Sequence, residues 1–270
     1  ATELGNDLGY IRDTQDNKAV DITAGSLVSK SFRGMGTADN PLELNVKQID
    51  TKSVSSDGAM EFGNAQPLQL GTSEPSEQPQ TVQYNTPLKI ESTGLSIGQN
   101  VTLTGQQITI QPPLVTDYDP YAIVVGRNLT NHLVSQSENK LNISADEIKQ
   151  LKFDVINLGN PEQPGQKIVL QTDATNQSDV LQLPGNVVLN TQNNGKTLLS
   201  GRIQGQALTI RGPGHTTEVK DLDLLLTSDF TIDDSVIVTS DATIELADGD
   251  TNLTSRLTLN GNLTVNAGFK

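Results

Sequence analysis

Two histidines are the residues best suited to acid–base or metal chemistry in this chain of 270 residues. Neither His132 nor His215 has a serine–aspartate arrangement nearby or a second histidine at the spacing of a zinc site. Both lie in polar, turn-like sequence, so we expect them to be solvent-exposed loop residues. The chain has no cysteine, which excludes thiolate nucleophiles and cysteine-bound zinc. The sequence therefore predicts no catalytic residue and no cofactor-binding residue.

A predicted acidic turn at residues 247–250 supplies oxygen atoms, the ligands that calcium prefers. Asp248, Asp250 and Asn252 resemble the start of a calcium-binding loop, yet no glutamate stands at its twelfth position. Asp and Asn also favour turns without metal, because their side chains bond to their own backbone. We therefore expect no metal site, and these three residues are the calcium candidates that the sequence offers.

The sequence predicts that the histidines and the calcium candidates are positioned by short strands. In residues 222–265, apolar and polar residues alternate over three to five positions, and turns rich in Asp, Asn, Ser and Gly follow. Three such steps take about 20 residues, and a repeat of that length indicates a solenoid. The same steps occur in residues 88–110. The sequence thus predicts an all-β, right-handed parallel β-helix; the alternative is a tandem pair of β-sandwich domains that meet near Pro112.

Several segments depart from this strand pattern. Residues 1–20 are polar and are predicted to be an N-terminal lead-in or partner-contact segment, whereas residues 21–270 form the β-helix. Prolines and a lack of apolar periodicity predict loop excursions at residues 71–87 and 111–135. The second excursion contains one predicted buried strand at residues 123–125.

One segment is predicted to be helical. Ser144 can accept a hydrogen bond from the backbone of Glu147 while the Glu147 side chain reaches back, the pairing known as a capping box. Ile148 and Leu151 then lie on one face. A helix of about two turns is too short to be stable without packing against other elements. We expect one short helix over residues 144–151.

The surface of this chain must be strongly acidic. The formal net charge is -14 and the isoelectric point is about 4.4. Such a charge repels the phosphates of nucleic acids and the headgroups of anionic lipids, so neither is expected as a partner. The chain contains no run of 18 apolar residues, which predicts no membrane insertion through a helix.

Two passages resemble the repeats of a known family. Residues 36–42 read GTADNPL, and residues 64–71 read NAQPLQLG. The second passage begins with LNISADEI at residues 141–148 and continues to residue 170. Together they cover about a third of the chain and resemble the filamentous-haemagglutinin-like giant repetitive bacterial surface exoproteins. The chain departs from that family in its higher charge and in its lower content of Gly and Ala.

The resemblance implies a protein that is exported by a bacterium and located outside the cell or at its surface. It also implies a β-helical shaft with adhesive or filament-forming work, and it carries over no catalytic residues. We therefore expect an extracellular structural or adhesive module, not an enzyme: a shaft segment of a large surface exoprotein or a subunit of a head-to-tail filament. The alternative is a polysaccharide-active β-helix enzyme, a lyase or a hydrolase.

The partners that we expect follow from the exposed ends of a β-helix. A rung is one turn of the chain around the axis of the β-helix. The terminal rungs leave backbone groups unpaired and core residues exposed, and the C-terminal residues remain in strand pattern. We expect these ends to contact flanking repeats of a longer chain or other copies, with surface glycans or host and cell-surface proteins as further partners. The candidate partner-contact residues are Leu4, Leu8, Tyr10, Ile11, Leu263 and Val265. The candidates for an exposed binding loop are Tyr118 and Tyr121.

Overall fold

The computed structural model describes residues 10–11, 13, 19–31, 34–37, 40–53, 60–64, 66–70, 79–114, 121–127, 129, 131, 133–135, 138–176, 178–233, 235–253, 257–259 and 263–269. Strands contain 64% of the residues and helix 3%, and a sheet of 12 parallel strands winds 304° around an axis, so that it nearly closes. This confirms the predicted all-β parallel β-helix rather than the tandem β-sandwich alternative. Within the described residues, no helix has the length and apolar character needed to cross a bilayer.

The elements follow one another along the chain in one long series of short strands. In order they are β1 (Tyr10–Ile11), β2 (Ile22–Ser31), β3 (Gly34–Met35), β4 (Leu42–Ser53), β5 (Met60–Asn64), β6 (Leu68–Leu70), β7 (Gln80–Tyr84), β8 (Leu88–Ser92), β9 (Leu95–Ile97), β10 (Val101–Gln111), β11 (Ala122–Gly126), β12 (Lys140–Ile143), α1 (Ala145–Gln150), β13 (Leu151–Leu158), β14 (Lys167–Gln171), β15 (Val180–Asn190), β16 (Lys196–Arg211), β17 (Thr216–Leu226), β18 (Phe230–Ile232), β19 (Ser235–Val238), β20 (Ala242–Leu253), β21 (Leu257–Leu259) and β22 (Leu263–Phe269). The longer strands continue round corners of the β-helix. Residues 196–205 of β16 therefore pair with β17, and residues 208–210 pair with β18.

Successive rungs lie in parallel register at the spacing that the sequence predicts. Leu88 pairs with Ile108, 20 residues on, and Thr216 pairs with Ser235, 19 residues on. Buried and partly exposed residues alternate along strands such as β8, and the buried positions are mostly Leu, Ile and Val. Stacking these side chains removes apolar surface from water, which contributes about 25 cal/mol for each Å² buried.

The first of two compact units comprises residues 1–113 and 150–156. Its strands β4, β5, β8 and β10 pair in that order, each parallel to the next. One buried residue of each strand stacks above its partner in the neighbouring rung: Leu42, Phe62, Ile90 and Ile110. The apolar positions that repeat in the sequence are therefore the positions whose side chains stack from rung to rung in the core of this unit.

The second unit comprises residues 114–149 and 157–270. Its central strands are β11, β14, β16, β17, β19 and β21, each paired in parallel with the next. β12 departs from chain order, because it pairs with β11 on the edge opposite to β14. The chain therefore steps back by one strand position after β11 before the regular order of rungs resumes.

A loop after β11 covers the outer face of this sheet. Leu133 and Val134 pack against Val124, Val169 and Leu198, which are buried although they alternate with the residues of the main core. β11 is consequently buried on both faces, which explains why its sequence is an unbroken apolar run. The structure confirms the buried strand predicted in this excursion.

Polar contacts hold the loop in place. Asn131 Oδ1 accepts hydrogen bonds from two backbone N–H groups of the loop, at 2.9 and 2.8 Å. Its Nδ2 donates to Gln171 Oε1 at 3.0 Å, and Lys167 Nζ lies 2.8 Å from Glu138 Oε1. These bonds link both ends of the covering loop to β14.

The predicted helix and its cap are confirmed. Glu147 N donates to Ser144 Oγ at 3.2 Å, and Ser144 N donates to a Glu147 carboxylate oxygen at 2.7 Å. Ile148 is buried. The helix ends at Gln150, one residue earlier than predicted, because Leu151 already begins the buried strand β13.

Three segments that the sequence predicts to lie outside strands contain strand residues. The excursion at residues 71–87 contains β7, which pairs with β10, while residues 71–78 lie outside the described residues. The lead-in at residues 1–20 contains β1, which pairs with β3. Residues 247–250, predicted to be a turn, lie inside β20. In a solenoid, a neighbouring rung supplies hydrogen bonds to polar segments, so the chain rounds a corner through a register shift without leaving the strand.

Candidate functional site

Three carboxylates of the first unit converge, although the sequence predicts no site there. One carboxylate oxygen from each of Asp13, Asp21 and Glu43 lies within 4.8 Å of the others, and all three residues are partly buried. Asp13 follows β1, Asp21 immediately precedes β2, and Glu43 is the second residue of β4. We call these three residues the carboxylate cluster.

Pairing of β2 with β4 brings two members of the cluster side by side. The strands are parallel, with Ile22 opposite Leu44. Asp21 N donates to Glu43 O at 2.8 Å, and Glu43 N donates to an Asp21 carboxylate oxygen at 3.0 Å. Glu43 alternates with core residues of β4, so its side chain lies on the outer face of the rung.

A turn closed by Thr37 and Asn40 holds the third member. Thr37 and Asn40 bond through their backbones in both directions, at 2.9 and 3.2 Å. Asn40 Nδ2 donates to the carbonyl oxygen of Asp13 at 3.2 Å and to its carboxylate at 3.5 Å. Gly36 has φ +67, and a Cβ there would overlap the carbonyl oxygen of Glu61, so the turn requires glycine. The segment that carries the family resemblance thus shapes the turn beside the cluster.

The environment of Glu43 favours its protonated form. Burial raises the pKa of Glu43 from its ordinary value of 4.5 to about 7, and the adjacent negative charge of Asp21 raises it in the same direction. Glu43 Oε2 is buried and accepts no hydrogen bond. Protonation would turn a Glu43 oxygen into a donor to the neighbouring carboxylate.

The cluster supports two kinds of chemistry. Near neutral pH, Glu43 can take up or release a proton beside a second carboxyl group, which is the requirement for acid–base catalysis. Three carboxylates at these distances also provide oxygen ligands of the kind that a hard divalent cation binds. Strand pairing accounts for the positions of Asp21 and Glu43, and the hydrogen bonds from Asn40 account for that of Asp13, so neither use is needed to explain the fold.

The predicted calcium candidates lie elsewhere in the chain. Asp248, Asp250 and Asn252 are in β20, and their side chains lie outside the described residues. The backbone of Asp250 is in register with Gly268 of β22. The register of β20 with β22 shifts between Glu245 and Asp250, so the predicted turn corresponds to a corner within this strand.

The predicted partner-contact residues are strand residues wherever the structure describes them. Tyr10 and Ile11 form β1, which pairs with β3, and Leu263 and Val265 lie in β22, which pairs with β20. The other two, Leu4 and Leu8, lie outside the described residues.

The predicted binding loop is described at one of its two tyrosines. Tyr121 is half-buried, and its carbonyl oxygen accepts a hydrogen bond from Gln166 Nε2 at 3.5 Å. Tyr118 lies outside the described residues. Tyr121 is therefore only partly accessible to a partner.

His215 contradicts the prediction of a solvent-exposed histidine. It is only 1% exposed, and its Nδ1 lies 2.6 Å from the carbonyl oxygen of Gly212. The preceding glycine–proline–glycine segment indicates a surface turn, but the alternation that buries Thr217 and Val219 extends back to the histidine. His132 lies outside the described residues.

A usable signal for the carboxylate cluster was present in the rung repeat. Asp21 and Glu43 are one rung apart, just as Ile22 and Leu44 are, and alignment of the two rungs would have placed the acids together. Asp13 gives no such signal, because its position depends on the turn that contains Asn40.

No protein-family model, curated protein or solved structure matches this chain. The fold and the carboxylate cluster therefore carry the functional argument. The likeness to filamentous-haemagglutinin-like exoproteins stays a prediction from sequence.

Proposed function

We propose that this chain is an extracellular structural or adhesive module, either a shaft segment of a large bacterial surface exoprotein or a subunit of a head-to-tail filament. The proposal requires neither catalytic residues nor a cofactor. The observation that carries it is the parallel stacking of rungs, in which each rung offers a hydrogen-bonding edge to the next. Such a fold grows by adding rungs, which suits it to spanning a distance or to repeating end to end.

The regular packing of the core supports a structural role. Four consecutive rungs of the second unit stack one buried residue above the next: Leu170, Leu199, Val219 and Val238. Each buried side chain of this type contributes about 1.5–3 kcal/mol relative to an exposed one. Inner strands such as β16 and β17 also pair along both edges, so removing an inner rung breaks two rows of backbone hydrogen bonds.

The first rung of the first unit supports contact with a further rung. Ile22, Ala24 and Leu27 lie opposite residues of β4 that are fully buried, yet they are themselves only partly buried. Val28 is 76% exposed. A preceding rung, from the same chain or from a second copy, would cover apolar surface in this position.

Adhesive partners would meet the outer faces of the rungs. Gln182 Nε2 donates to Gln204 Oε1 at 2.7 Å, and Arg202 pairs with Asp223 at 3.2 Å. Side chains of this kind, arranged in ladders along the rungs, can hydrogen-bond to the hydroxyl groups of surface glycans or to host and cell-surface proteins.

One observation favours the alternative, a polysaccharide-active β-helix enzyme. Glycoside hydrolysis uses two carboxyl groups, one of which carries a proton near neutral pH. Glu43, with a pKa of about 7, lies beside Asp21. In such an enzyme Glu43 would protonate the leaving oxygen, and Asp21, whose carboxylate oxygen lies within 4.8 Å of that of Glu43, would act as nucleophile.

Assays on a panel of acidic and neutral polysaccharides separate the two functions. The structural proposal predicts no turnover by the wild type, by Glu43→Gln or by Glu162→Gln, a control at an exposed carboxylate of the second unit. Turnover that Glu43→Gln abolishes and Glu162→Gln preserves would overturn the structural proposal. Light scattering provides the positive test, since end-to-end association predicts a mean mass that rises with protein concentration.

A further inference from the structure

Three polar side-chain atoms are buried near the starts of β16 and β17 without a hydrogen-bond partner. They are the Oγ1 atoms of Thr197 and Thr217 and the Nε2 atom of His215. The two threonines are 0% exposed. Buried polar groups are nearly always hydrogen-bonded, to protein or to ordered water, so a set of three requires an explanation.

Strand register places the three side chains next to one another. Thr197 and Thr217 are partners in the parallel pairing of β16 with β17, and neighbouring strands lie about 4.8 Å apart. Thr216 N donates to Gly195 O at 3.0 Å, which continues the pairing back to His215. Side chains two positions apart in a strand point to the same face, so the histidine and both threonines face the interior of the second unit.

The hydrogen bond at Nδ1 of His215 determines whether Nε2 of the same ring is a donor or an acceptor. Nδ1 lies 2.6 Å from the carbonyl oxygen of Gly212. A carbonyl only accepts, so Nδ1 carries the proton, and in the neutral ring Nε2 is an acceptor that needs a donor. Each threonine hydroxyl can donate one hydrogen bond and accept two.

The three atoms do not satisfy one another directly, since none of them has a partner within hydrogen-bonding distance. A water molecule between them would satisfy all three. Buried waters typically make about three hydrogen bonds to groups of this kind, and a site with at least two polar partners is needed to hold one.

We propose that one structural water bridges His215 Nε2, Thr197 Oγ1 and Thr217 Oγ1. The water donates to Nε2 and exchanges hydrogen bonds with the two hydroxyl groups. It thereby links the turn before β17 to the first residues of two successive rungs. This inference is independent of the proposed function, because it concerns the interior of the second unit alone.

Thr86 of the first unit provides a matched control. Its Oγ1 is also buried and without a partner. The described residues of that unit include no second unpartnered hydroxyl group or ring nitrogen. A water at Thr86 would lack the partners that the second unit supplies.

Isosteric substitutions of threonine by valine test the bridge. Thr197→Val and Thr217→Val each remove one partner of the water, so each is expected to lower Tm by about 2–5 °C. Thr86→Val removes a lone unsatisfied hydroxyl and is expected to leave Tm unchanged or to raise it. If the Thr197→Val and Thr217→Val variants are as stable as the wild type or more so, the proposal is wrong.

Two further measurements keep the test decisive. Because both hydroxyl groups bind the same water, the double variant Thr197→Val/Thr217→Val is expected to lose less than the sum of the two single losses. Additive losses would contradict a shared water. A high-resolution crystal structure of the wild type needs no variant: density for one water within hydrogen-bonding distance of all three atoms is expected, and none there would overturn the proposal.

Discussion

Two carboxylates, Glu43 of the first unit and Asp173 of the second, lie in opposite surroundings. In the first, burial beside Asp21 raises the pKa of Glu43 to about 7. In the second, the hydroxyl group of Thr175 and then its backbone N–H bond to Asp173 and lower the pKa of that carboxyl. One acid is placed next to another acid, and the other is placed next to donors.

Two further carboxylates of the second unit, each paired with a cation, extend the contrast with Glu43. Arg127 Nε lies 2.9 Å from an Asp179 oxygen, and Lys167 Nζ lies 2.8 Å from Glu138, whose side chain is only 7% exposed. Glu138 is thus buried next to a cation, whereas Glu43 is partly buried next to carboxylates. The comparison shows that burial and the charged or donor groups around an acid act together on its protonation.

Distorting the turn beside the carboxylate cluster is expected to have the largest effect. Gly36 and Gly165 both have positive φ, +67 and +70, but an added Cβ overlaps Glu61 O at the first position and meets nothing within 4 Å at the second. Gly36→Ala should lower the free energy of unfolding by about 3 kcal/mol or more. Gly165→Ala should lower it by about 1–2 kcal/mol, the cost of the left-handed backbone alone. Equal losses in urea denaturation would contradict this steric account.

Removing a buried amide of the first unit should cost somewhat less. Asn64 accepts from Val46 N at 3.0 Å and donates to Val46 O and Gln66 O at 2.8 and 2.7 Å. Asn64→Ala leaves these backbone groups without partners, which should lower the free energy of unfolding by about 2–3 kcal/mol. Gln182→Ala, at an exposed ladder, is the control and should change it by about 0.5 kcal/mol or less. A loss at Asn64 no larger than at Gln182 would show that the side chain is dispensable.

Replacing Glu43 by Gln should change how stability depends on pH. Folding raises the pKa of Glu43 from 4.5 to about 7, so the folded chain binds this proton more tightly than the unfolded chain does. The resulting stability is fully present below pH 4.5 and is lost as the pH rises through 7. At about pH 8, Glu43→Gln should raise the free energy of unfolding by about 1–2 kcal/mol after solvent screening, and at about pH 4 it should have little effect.

Urea denaturation in EDTA at both pH values measures this difference without a divalent cation in place of the proton. Glu162→Gln, which removes an exposed carboxylate, should show no comparable change between the two pH values. A Glu43→Gln variant that is less stable than the wild type at the higher pH would refute the proposed repulsion within the cluster.

Asp173 should show the smallest effect, with the opposite sign. Its pKa is lowered, so its contribution to stability is present above the unfolded-state pKa and is lost as the pH falls through the folded-state value. NMR titration should place the pKa of Asp173 below the ordinary value of 3.8, and Thr175→Val, which removes the hydroxyl donor, should bring it closer to that value. An unchanged pKa in Thr175→Val would show that the hydroxyl is not the main cause.

The sequence predicts the repeated elements well because each rung carries its own pattern. The alternation in β8 and the capping box of Ser144 and Glu147 are local signals, and both are present in the structure. The pairing of Asp21 with Glu43 and the placing of Thr197 beside Thr217 depend on which residues become neighbours one rung away. Strand register, which aligns Ile22 with Leu44 and Thr197 with Thr217, fixes those neighbours. The local sequence pattern alone does not give the strand register.

The central claim is that this β-helix does structural rather than catalytic work by stacking on further rungs. Negative-stain electron microscopy of the isolated chain, with light scattering on the same sample, tests it most directly. The account predicts unbranched linear assemblies whose length increases with protein concentration. Particles that keep the mass of a single chain, 28.9 kDa, at high concentration and moderate salt would contradict it.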